Sequence, residues 1–228
     1  MSIAENLERL KARISEAALR AGRDPQAVRL VGVTKTVDPQ RIEAAVQAGL
    51  QDLGENYVQE AREKIAKLPP GLRWHFIGRL QTNKAKYAVK LFHLIHTVDS
   101  RKLAKELNRR AEAAGRLVPI LVQVNIAAET SKGGIRKEDV LPIIEYISTL
   151  PFLRLKGLMT MPPFFDQPEK VRPYFRQLRQ LSRQIAARRL ANVDMTELSM
   201  GMSGDFEVAI EEGATLVRVG TALFGRRT

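Results

Sequence analysis

The sequence contains no cysteine, which excludes disulfide bonds, thiolate metal ligands and cysteine nucleophiles together. It also lacks any run approaching the roughly 20 apolar residues that a helix needs to span a bilayer. Charged residues interrupt the first ten positions every few residues, so the start of the chain predicts an amphipathic helix rather than a signal peptide. We therefore expect a cytoplasmic protein with no membrane segment.

Aromatic and acidic residues are both scarce. Aromatic side chains make up 6% of the chain, and 25 Asp and Glu residues face 37 Lys and Arg residues, for a formal net charge of +12. A balance this basic is typical of some nucleic-acid-binding proteins. Here the basic residues are spread in short doublets such as Arg109-Arg110, with no basic stripe interleaved with aromatics. We expect an arginine-rich solvated surface that attracts anionic ligands, and no nucleic-acid partner.

The chain of 228 residues has the length of one large domain. It has no linker, low-complexity tract or internal repeat that would divide it, so we expect a single domain over residues 1–228. Near the start, apolar residues recur with the spacing of one buried helix face, at Ile3, Leu7, Leu10 and Ile14. Ser2 followed by Glu5 is typical of a capping box, and Gly22 is the predicted stop of this helix.

After this helix, short apolar runs alternate with longer helical stretches. Eight runs predict strands, at 30–33, 52–54, 74–77, 94–98, 119–126, 153–159, 197–200 and 216–219. Asp38-Pro39 is the predicted start of a helix that ends at Gly49, and Gly204-Asp205 begins a short final helix. Eight strand–helix units predict a closed (β/α)8 TIM barrel with an extra N-terminal helix. A doubly wound open sheet is the alternative that this pattern leaves open.

Functional groups of such a barrel lie at the C-terminal ends of its strands. Polar or glycine residues follow almost every predicted strand, at Lys35, Asn56, Gly78, Asp99, Asn125, Thr160, Ser199 to Ser203 and Gly220-Thr221. Lys35 is the most informative because it comes just after the apolar run 30–33. Apolar neighbours would disfavour its ammonium form, as a Schiff-base lysine requires. The alternative is a lysine whose amine extends to solvent at the rim.

Two glycine-rich segments near the C-terminus predict an anion site. In residues 197–207, the hydroxyls of Ser199 and Ser203 accompany backbone N–H groups at a helix start. Gly220 allows close approach of the backbone, and Thr221 adds a hydroxyl and an N–H. Barrels often bind phosphate at the ends of their last two strands. Ordinary turns are the alternative for both segments.

The three histidines do not predict a metal site. His75 lies within the predicted strand 74–77 and could face the barrel interior, either as a hydrogen-bonded core histidine or as a ligand contact. His93 and His96 lie three residues apart at a predicted strand, so their side chains point to opposite faces. Because no carboxylate pair or Ser-His-Asp arrangement stands out either, we expect no metal.

Eight segments occur in the order found in a known family, at 33–36 (VTKT), 54–57 (GENY), 74–78 (WHFIG), 80–84 (LQTNK), 123–125 (QVN), 157–162 (GLMTMP), 198–203 (LSMGMS) and 218–225 (RVGTALFG). On these segments the chain resembles the alanine-racemase N-terminal-like barrels. More closely, it resembles the pyridoxal phosphate homeostasis family of single-domain proteins that bind pyridoxal 5'-phosphate (PLP).

This resemblance implies that PLP is the cofactor, held as a Schiff base on Lys35. It further implies phosphate contacts from Ser199 or Ser203 and from Gly220 and Thr221, with Arg218 near the pyridine nitrogen. We add Asn56, His75 and Met159 as further expected cofactor contacts. Members of the family are regarded as non-enzymatic and hold or deliver the cofactor, so no catalytic residue is assigned.

Arg218 bears on whether such a protein is an enzyme. PLP is a strong electron sink when its ring nitrogen is protonated, usually beside a carboxylate. A guanidinium only donates hydrogen bonds, so Arg218 would keep that nitrogen unprotonated and the sink weak. We therefore predict a monomeric carrier that exchanges PLP with PLP-dependent apoenzymes or small amines.

A low-activity amino-acid racemase is the alternative, because racemisation tolerates an arginine at the ring nitrogen. A two-base racemase needs a second proton donor opposite the lysine. In alanine racemases this donor comes from a C-terminal β-domain, which we do not expect here because the sequence ends at Thr228. Tyr57 could substitute. A third hypothesis, a basic RNA-associated barrel, has no motif to support it.

Overall fold

The computed structural model describes residues 2–129 and 133–225. Within these residues the strands are β1 (Arg29–Val33), β2 (Asp52–Glu55), β3 (Arg73–Phe76), β4 (Leu94–Val98), β5 (Val118–Asn125), β6 (Ile135–Arg136), β7 (Leu153–Met159), β8 (Val193–Ser199) and β9 (Leu216–Val219). All pairings are parallel, and β1 pairs with both β2 and β9 while β4 pairs with β5. These pairings close the eight longer strands into a ring, which confirms the barrel and excludes the open doubly wound sheet.

The helices that alternate with the strands are α1 (Ile3–Arg20), α2 (Pro39–Gln47), α3 (Val58–Ile65), α4 (Ala85–Leu91), α5 (Arg101–Ala113), α6 (Val140–Ser148), α7 (Arg172–Ala186), α8 (Phe206–Glu211) and α9 (Thr221–Phe224). The predicted capping box of α1 is present, since the Ser2 hydroxyl accepts from the Glu5 N–H and the Glu5 carboxylate accepts from the Ser2 N–H. Asp38 caps α2 by accepting from the Gln40 N–H at 2.8 Å. The extra helix α1 packs against α8 and α9 on the outside of the barrel.

The apolar core divides into two parts. The larger part lies between the strands and the surrounding helices, and it includes one face of α7, with Phe175, Leu178 and Ile185 buried. The smaller part lies inside the ring and consists of Val31, Leu94, Leu121, Met159 and Leu216. Because this inner layer is small, much of the remaining interior is filled by buried polar side chains. That polar filling determines what the barrel mouth can do.

Two sequence predictions need correction, and one short strand was missed. Strand β8 begins at Val193, four residues before the predicted start, and β6 was not predicted because two residues are too short for a periodic signal. The helix after Gly204-Asp205 is not the last one, because α9 follows β9.

In the described ranges 2–129 and 133–225, no helix is both long enough and apolar enough to cross a membrane. The same residues place no group of three His, Asp or Glu side chains where they could hold a metal ion.

Gly157 allows β7 and β8 to pair at a point where no side chain fits. Its φ is +156°, and a Cβ added there would lie 1.8 Å from the carbonyl oxygen of Glu197. Gly157→Ala should therefore lower the free energy of unfolding by about 3 kcal/mol, the upper range for overpacking. Urea denaturation measures this as a lower midpoint at unchanged slope. Gly204→Ala is the matched control, because nothing lies within 4 Å of a Cβ at that position. Equal midpoints for the two variants would refute this account of Gly157.

Candidate functional site

Lys35 lies in the turn that directly follows β1, at the C-terminal mouth of the barrel. Its side chain is half-buried and lines two adjoining clefts. Among the described residues Lys35 forms no hydrogen bond or ion pair, and it is not held by a carboxylate. A half-buried primary amine without a partner is a nucleophile available to a ligand.

The turn that carries Lys35 is conformationally unusual. Thr36 has a φ of +58°, in the left-handed region that β-branched residues rarely adopt. Its N–H donates to the carboxylate of Glu60 at 2.5 Å, which fixes the turn against helix α3. A non-glycine residue in this conformation is retained only where surrounding contacts determine it.

A buried ion cluster lies behind this turn. The ammonium of Lys64 on α3 donates to Glu55 at 2.8 Å, to Glu60 at 2.7 Å and to the carbonyl of Thr34 at 2.5 Å. The Thr34 hydroxyl also donates to Glu55 at 2.6 Å. Burial raises the pKa of Glu55, although Lys64 and Thr34 oppose this shift. We call these residues the Lys64 cluster; it joins β2, α3 and the residues on both sides of Lys35.

Two clefts of about 350 and 340 Å³ meet at the mouth. Both are lined by Val33, Lys35, Met202 and Arg218. The first extends toward Asn56, Arg79 and Asp99, and the second toward Ser203, Gly204, Gly220 and Thr221. The mouth thus brings the predicted amine and the two predicted anion-binding segments into one continuous space.

The second cleft is rich in hydrogen-bond donors from the segments after β8 and β9. The Ser203 hydroxyl accepts from the Ala222 N–H at 3.4 Å, which joins the two segments. Asp205 also lines this cleft and is half-buried, and its Oδ1 accepts from the Met202 N–H at 2.5 Å. Burial raises the pKa of Asp205. The hydroxyls and backbone N–H groups of Ser203, Gly204 and Thr221 are placed to receive an anion.

Asn56 reaches the mouth because the segments that follow β2 and β3 approach each other unusually closely. A Cβ at Gly78 would lie 2.2 Å from the Asn56 carbonyl oxygen, so glycine alone permits this approach. Asn56 also lines a larger cleft of about 730 Å³ beside the mouth, together with Tyr57, Arg79 and Asp99. The mouth is therefore continuous with open space at one side.

Arg218 reaches the mouth from β9 but is almost wholly enclosed, with 3% of its surface exposed. Its Nη1 donates to the Ser199 hydroxyl at 2.6 Å and its Nη2 to the Thr160 carbonyl at 2.9 Å. Burial lowers the pKa of Arg218 to about 10, so the guanidinium remains charged at neutral pH.

A line of hydrogen bonds continues from Arg218 down the barrel interior, and we call it the interior chain. Ser199 Oγ lies 2.8 Å from His96 Nδ1, and His96 Nε2 lies 2.9 Å from His75 Nδ1. His75 Nε2 then lies 2.9 Å from Asp52 Oδ1. Burial would raise the pKa of Asp52, but hydrogen bonds from Arg73 and His75 outweigh it and hold that pKa well below its usual range.

The structure separates the predicted site residues into two groups. Lys35, Asn56, Ser203, Arg218, Gly220 and Thr221 line the mouth. The other three, His75, Met159 and Ser199, are buried and line neither cleft. The sequence left two interpretations of His75 open, and in the structure it is a buried core histidine that is hydrogen-bonded to His96 and Asp52.

Sequence reasoning missed the residues that support the site. Asp52 was not singled out, and His96 was considered only as a metal ligand, although a histidine in the middle of the apolar run 94–98 is a visible signal of a polar interior. The Lys64 cluster was also missed. Its only signal was Glu60 and Lys64 four residues apart on a helix, a spacing that normally marks a solvent-exposed pair.

Comparison with known proteins agrees with the barrel fold. The model of the alanine racemase N-terminal domain matches residues 4–228, so fold and site define a barrel of that class. More narrowly, the chain belongs to the pyridoxal phosphate homeostasis family. It is 47% identical to the pyridoxal phosphate homeostasis protein of Aquifex aeolicus, over 100% of this chain and 99% of that protein. The corresponding protein of Pseudomonas aeruginosa is 44% identical, over 99% of this chain and 96% of its own length.

A solved structure of PipY from Synechococcus elongatus, with PLP bound, is similar over 98% of this chain and 100% of that one. The sequences are 37% identical and the TM-score is 0.84.

Lys64→Met should destabilise the protein strongly, because it leaves the buried carboxylate of Glu55 without its cation. The expected loss of unfolding free energy is about 3 kcal/mol, as for other broken buried pairs. Chemical denaturation measures it, with Lys67→Met at an exposed lysine of the same region as the control. Adding Glu55→Gln to Lys64→Met should recover part of the loss. If Lys64→Met and Lys67→Met unfold at the same midpoint, the Lys64 cluster does not stabilise this region.

Proposed function

We propose that this protein binds PLP at the barrel mouth as a Schiff base with Lys35, and that it holds and exchanges the cofactor without strong catalysis of its own. The observation that carries this proposal is the convergence of Lys35, Arg218 and the Ser203 and Thr221 segments on one mouth. The names of the curated relatives and the PLP-bound PipY structure support the choice of cofactor.

The residues of the mouth fit the three chemical parts of PLP. Lys35 supplies a half-buried amine for the aldehyde, and the second cleft supplies hydroxyls and backbone N–H groups for the phosphate. Arg218 supplies a donor for the ring nitrogen, because only part of its guanidinium is used by Ser199 and Thr160. Each cleft, at about 350 or 340 Å³, is within the usual range for a small-molecule site.

PLP, when bound, supplies an electron sink for carbanion chemistry. Arg218 limits that sink, because a charged guanidinium at the ring nitrogen disfavours protonation of that nitrogen. The larger cleft beside Asn56 and Arg79 leaves the amine end of the site accessible to water and to small amines. A weak sink and an accessible amine favour holding and exchange of the cofactor over catalysis.

A low-activity racemase is the second candidate, because the matched family model is that of the alanine racemase N-terminal domain. Its second proton donor would be Tyr57, which lines the larger cleft and is 63% exposed. A base this exposed is poorly fixed against a substrate Cα, since nothing excludes water from it. We therefore place the racemase second, and propose a cytoplasmic monomer whose partners are PLP-dependent apoenzymes.

Lys35→Ala should abolish the covalent adduct, because no other half-buried amine lines the two clefts among the described residues. The purified protein is loaded with PLP, reduced with borohydride and mapped by peptide mass spectrometry. The label is expected on Lys35 in the wild type and nowhere in Lys35→Ala. Lys84→Ala, at a lysine that lines only the larger cleft, is the control and should retain the label. A label that persists in Lys35→Ala would refute the proposed site.

Deuterium exchange at the Cα of alanine or serine separates carrier from racemase. The loaded protein is expected to exchange the Cα hydrogen no faster than free PLP, since Arg218 weakens the sink. NMR of the recovered amino acid measures the rate. Exchange well above that of free PLP, and lost in Tyr57→Phe, would support the racemase instead.

A further inference from the structure

The interior chain connects two opposite charges through a hydroxyl and two imidazoles. One end is the guanidinium of Arg218 at the mouth, and the other is the carboxylate of Asp52 at the start of β2. Asp52 is also held by Arg73, whose Nη2 donates to Oδ2 at 2.6 Å. Asp52 lies at the N-terminal end of β2, opposite the mouth, which Arg218 lines. The interior chain therefore crosses the barrel from one end to the other.

The acceptor at the Asp52 end fixes the direction of every hydrogen bond when both imidazoles are neutral. A carboxylate only accepts, so His75 donates from Nε2 and its Nδ1 must accept. His96 then donates from Nε2 to His75, and its own Nδ1 accepts from the Ser199 hydroxyl. This leaves a Ser199 lone pair aimed at Arg218, which only donates.

The aligned chain compensates a buried charge. Among the described residues, Arg218 makes no ion pair within 4.0 Å, and Asp205 attracts it only from farther away, yet Arg218 is almost fully enclosed. Each neutral member presents its acceptor end toward Arg218 and its donor end toward Asp52. Dipoles aligned in this way stabilise both charges where the local dielectric is low. Burial also lowers the pKa of His96 well below its usual value, which agrees with a neutral imidazole in the chain.

We propose that Asp52, His75 and His96 are positioning residues for Arg218, and that they fix its guanidinium at the mouth by presenting the Ser199 oxygen as an acceptor. The inference rests on the proposed function in one respect, namely that Arg218 faces the ring nitrogen of PLP. The tautomers of the two histidines and the orientation of Arg218 are properties of the unloaded protein.

The first experiment therefore uses the protein without cofactor. Nitrogen-15 NMR of histidine-labelled protein at pH 8 should show His75 and His96 both neutral, with the proton on Nε2 in each. The exposed His93 is the internal reference in the same spectrum. A proton on Nδ1 of His75 or of His96, or a cationic ring, would overturn the chain direction. This result does not depend on whether PLP binds.

The second experiment uses the loaded protein and asks whether His96 acts through Arg218. His96→Leu should weaken PLP binding about tenfold, because a misplaced Arg218 would lose its charge-assisted hydrogen bond to the cofactor. It should also shift the visible absorption band of the bound cofactor in the same direction as Arg218→Leu does. His96→Gln should retain binding within about twofold, because an amide accepts at one atom and donates at another. His93→Leu, which removes a histidine outside the chain, is the matched control.

A double-mutant cycle decides between positioning and general destabilisation. If His96 acts through Arg218, adding His96→Leu to Arg218→Leu should cause no further loss of binding and no further spectral shift. Losses that add fully in the double variant would overturn the proposal. If His96→Leu does not fold, His96→Gln and the NMR result still test it. If the wild type shows no visible band at all, the proposed function fails while the NMR measurement still stands.

Discussion

A cation buried inside a closed sheet must be satisfied by whatever the surrounding strands present to it. Arg218 is in this position, and its guanidinium is met by one hydroxyl and one backbone carbonyl. Neither carries a charge, so the interior must compensate the guanidinium over a distance. Asp205 attracts the guanidinium from beyond ion-pair distance, and the interior chain that ends at Asp52 adds its aligned dipoles. The composition of the barrel interior is therefore tied to a single residue at its mouth.

The site also depends on two lysines that differ in burial and in hydrogen bonding. Lys64 is buried, and two carboxylates and a carbonyl take up its three donors. Lys35 lies close to this cluster along the chain, but it forms no such contact within the described residues. One lysine fixes the turn and the other is carried by it. Thr36, which follows Lys35 and has a strained backbone, connects the two lysines: its N–H donates to Glu60, and Glu60 also accepts from Lys64.

The sequence predicts the fold well because periodicity and capping are local signals. The predicted run 94–98 coincides with β4, and Ser2 and Asp38 cap helices as their sequence context indicates. The support of the site could not be predicted in the same way. Ser199 and His96 lie 103 residues apart in sequence, and only the barrel register brings them together. A charged helix residue such as Lys64 is expected at the surface, so its burial follows from tertiary packing rather than from sequence spacing.

The polar interior has a cost that helps to explain its purpose. The inner apolar cluster of this barrel has five side chains and buried polar groups fill much of the remaining interior, whereas bulky branched residues usually fill such interiors throughout. Buried polar and ionic groups are often replaceable by apolar residues of similar volume with a gain in stability, so stability alone does not account for the interior chain. What apolar residues cannot do is hold a guanidinium in one orientation. The interior of this protein is therefore better understood as a support for the mouth than as a core in the usual sense.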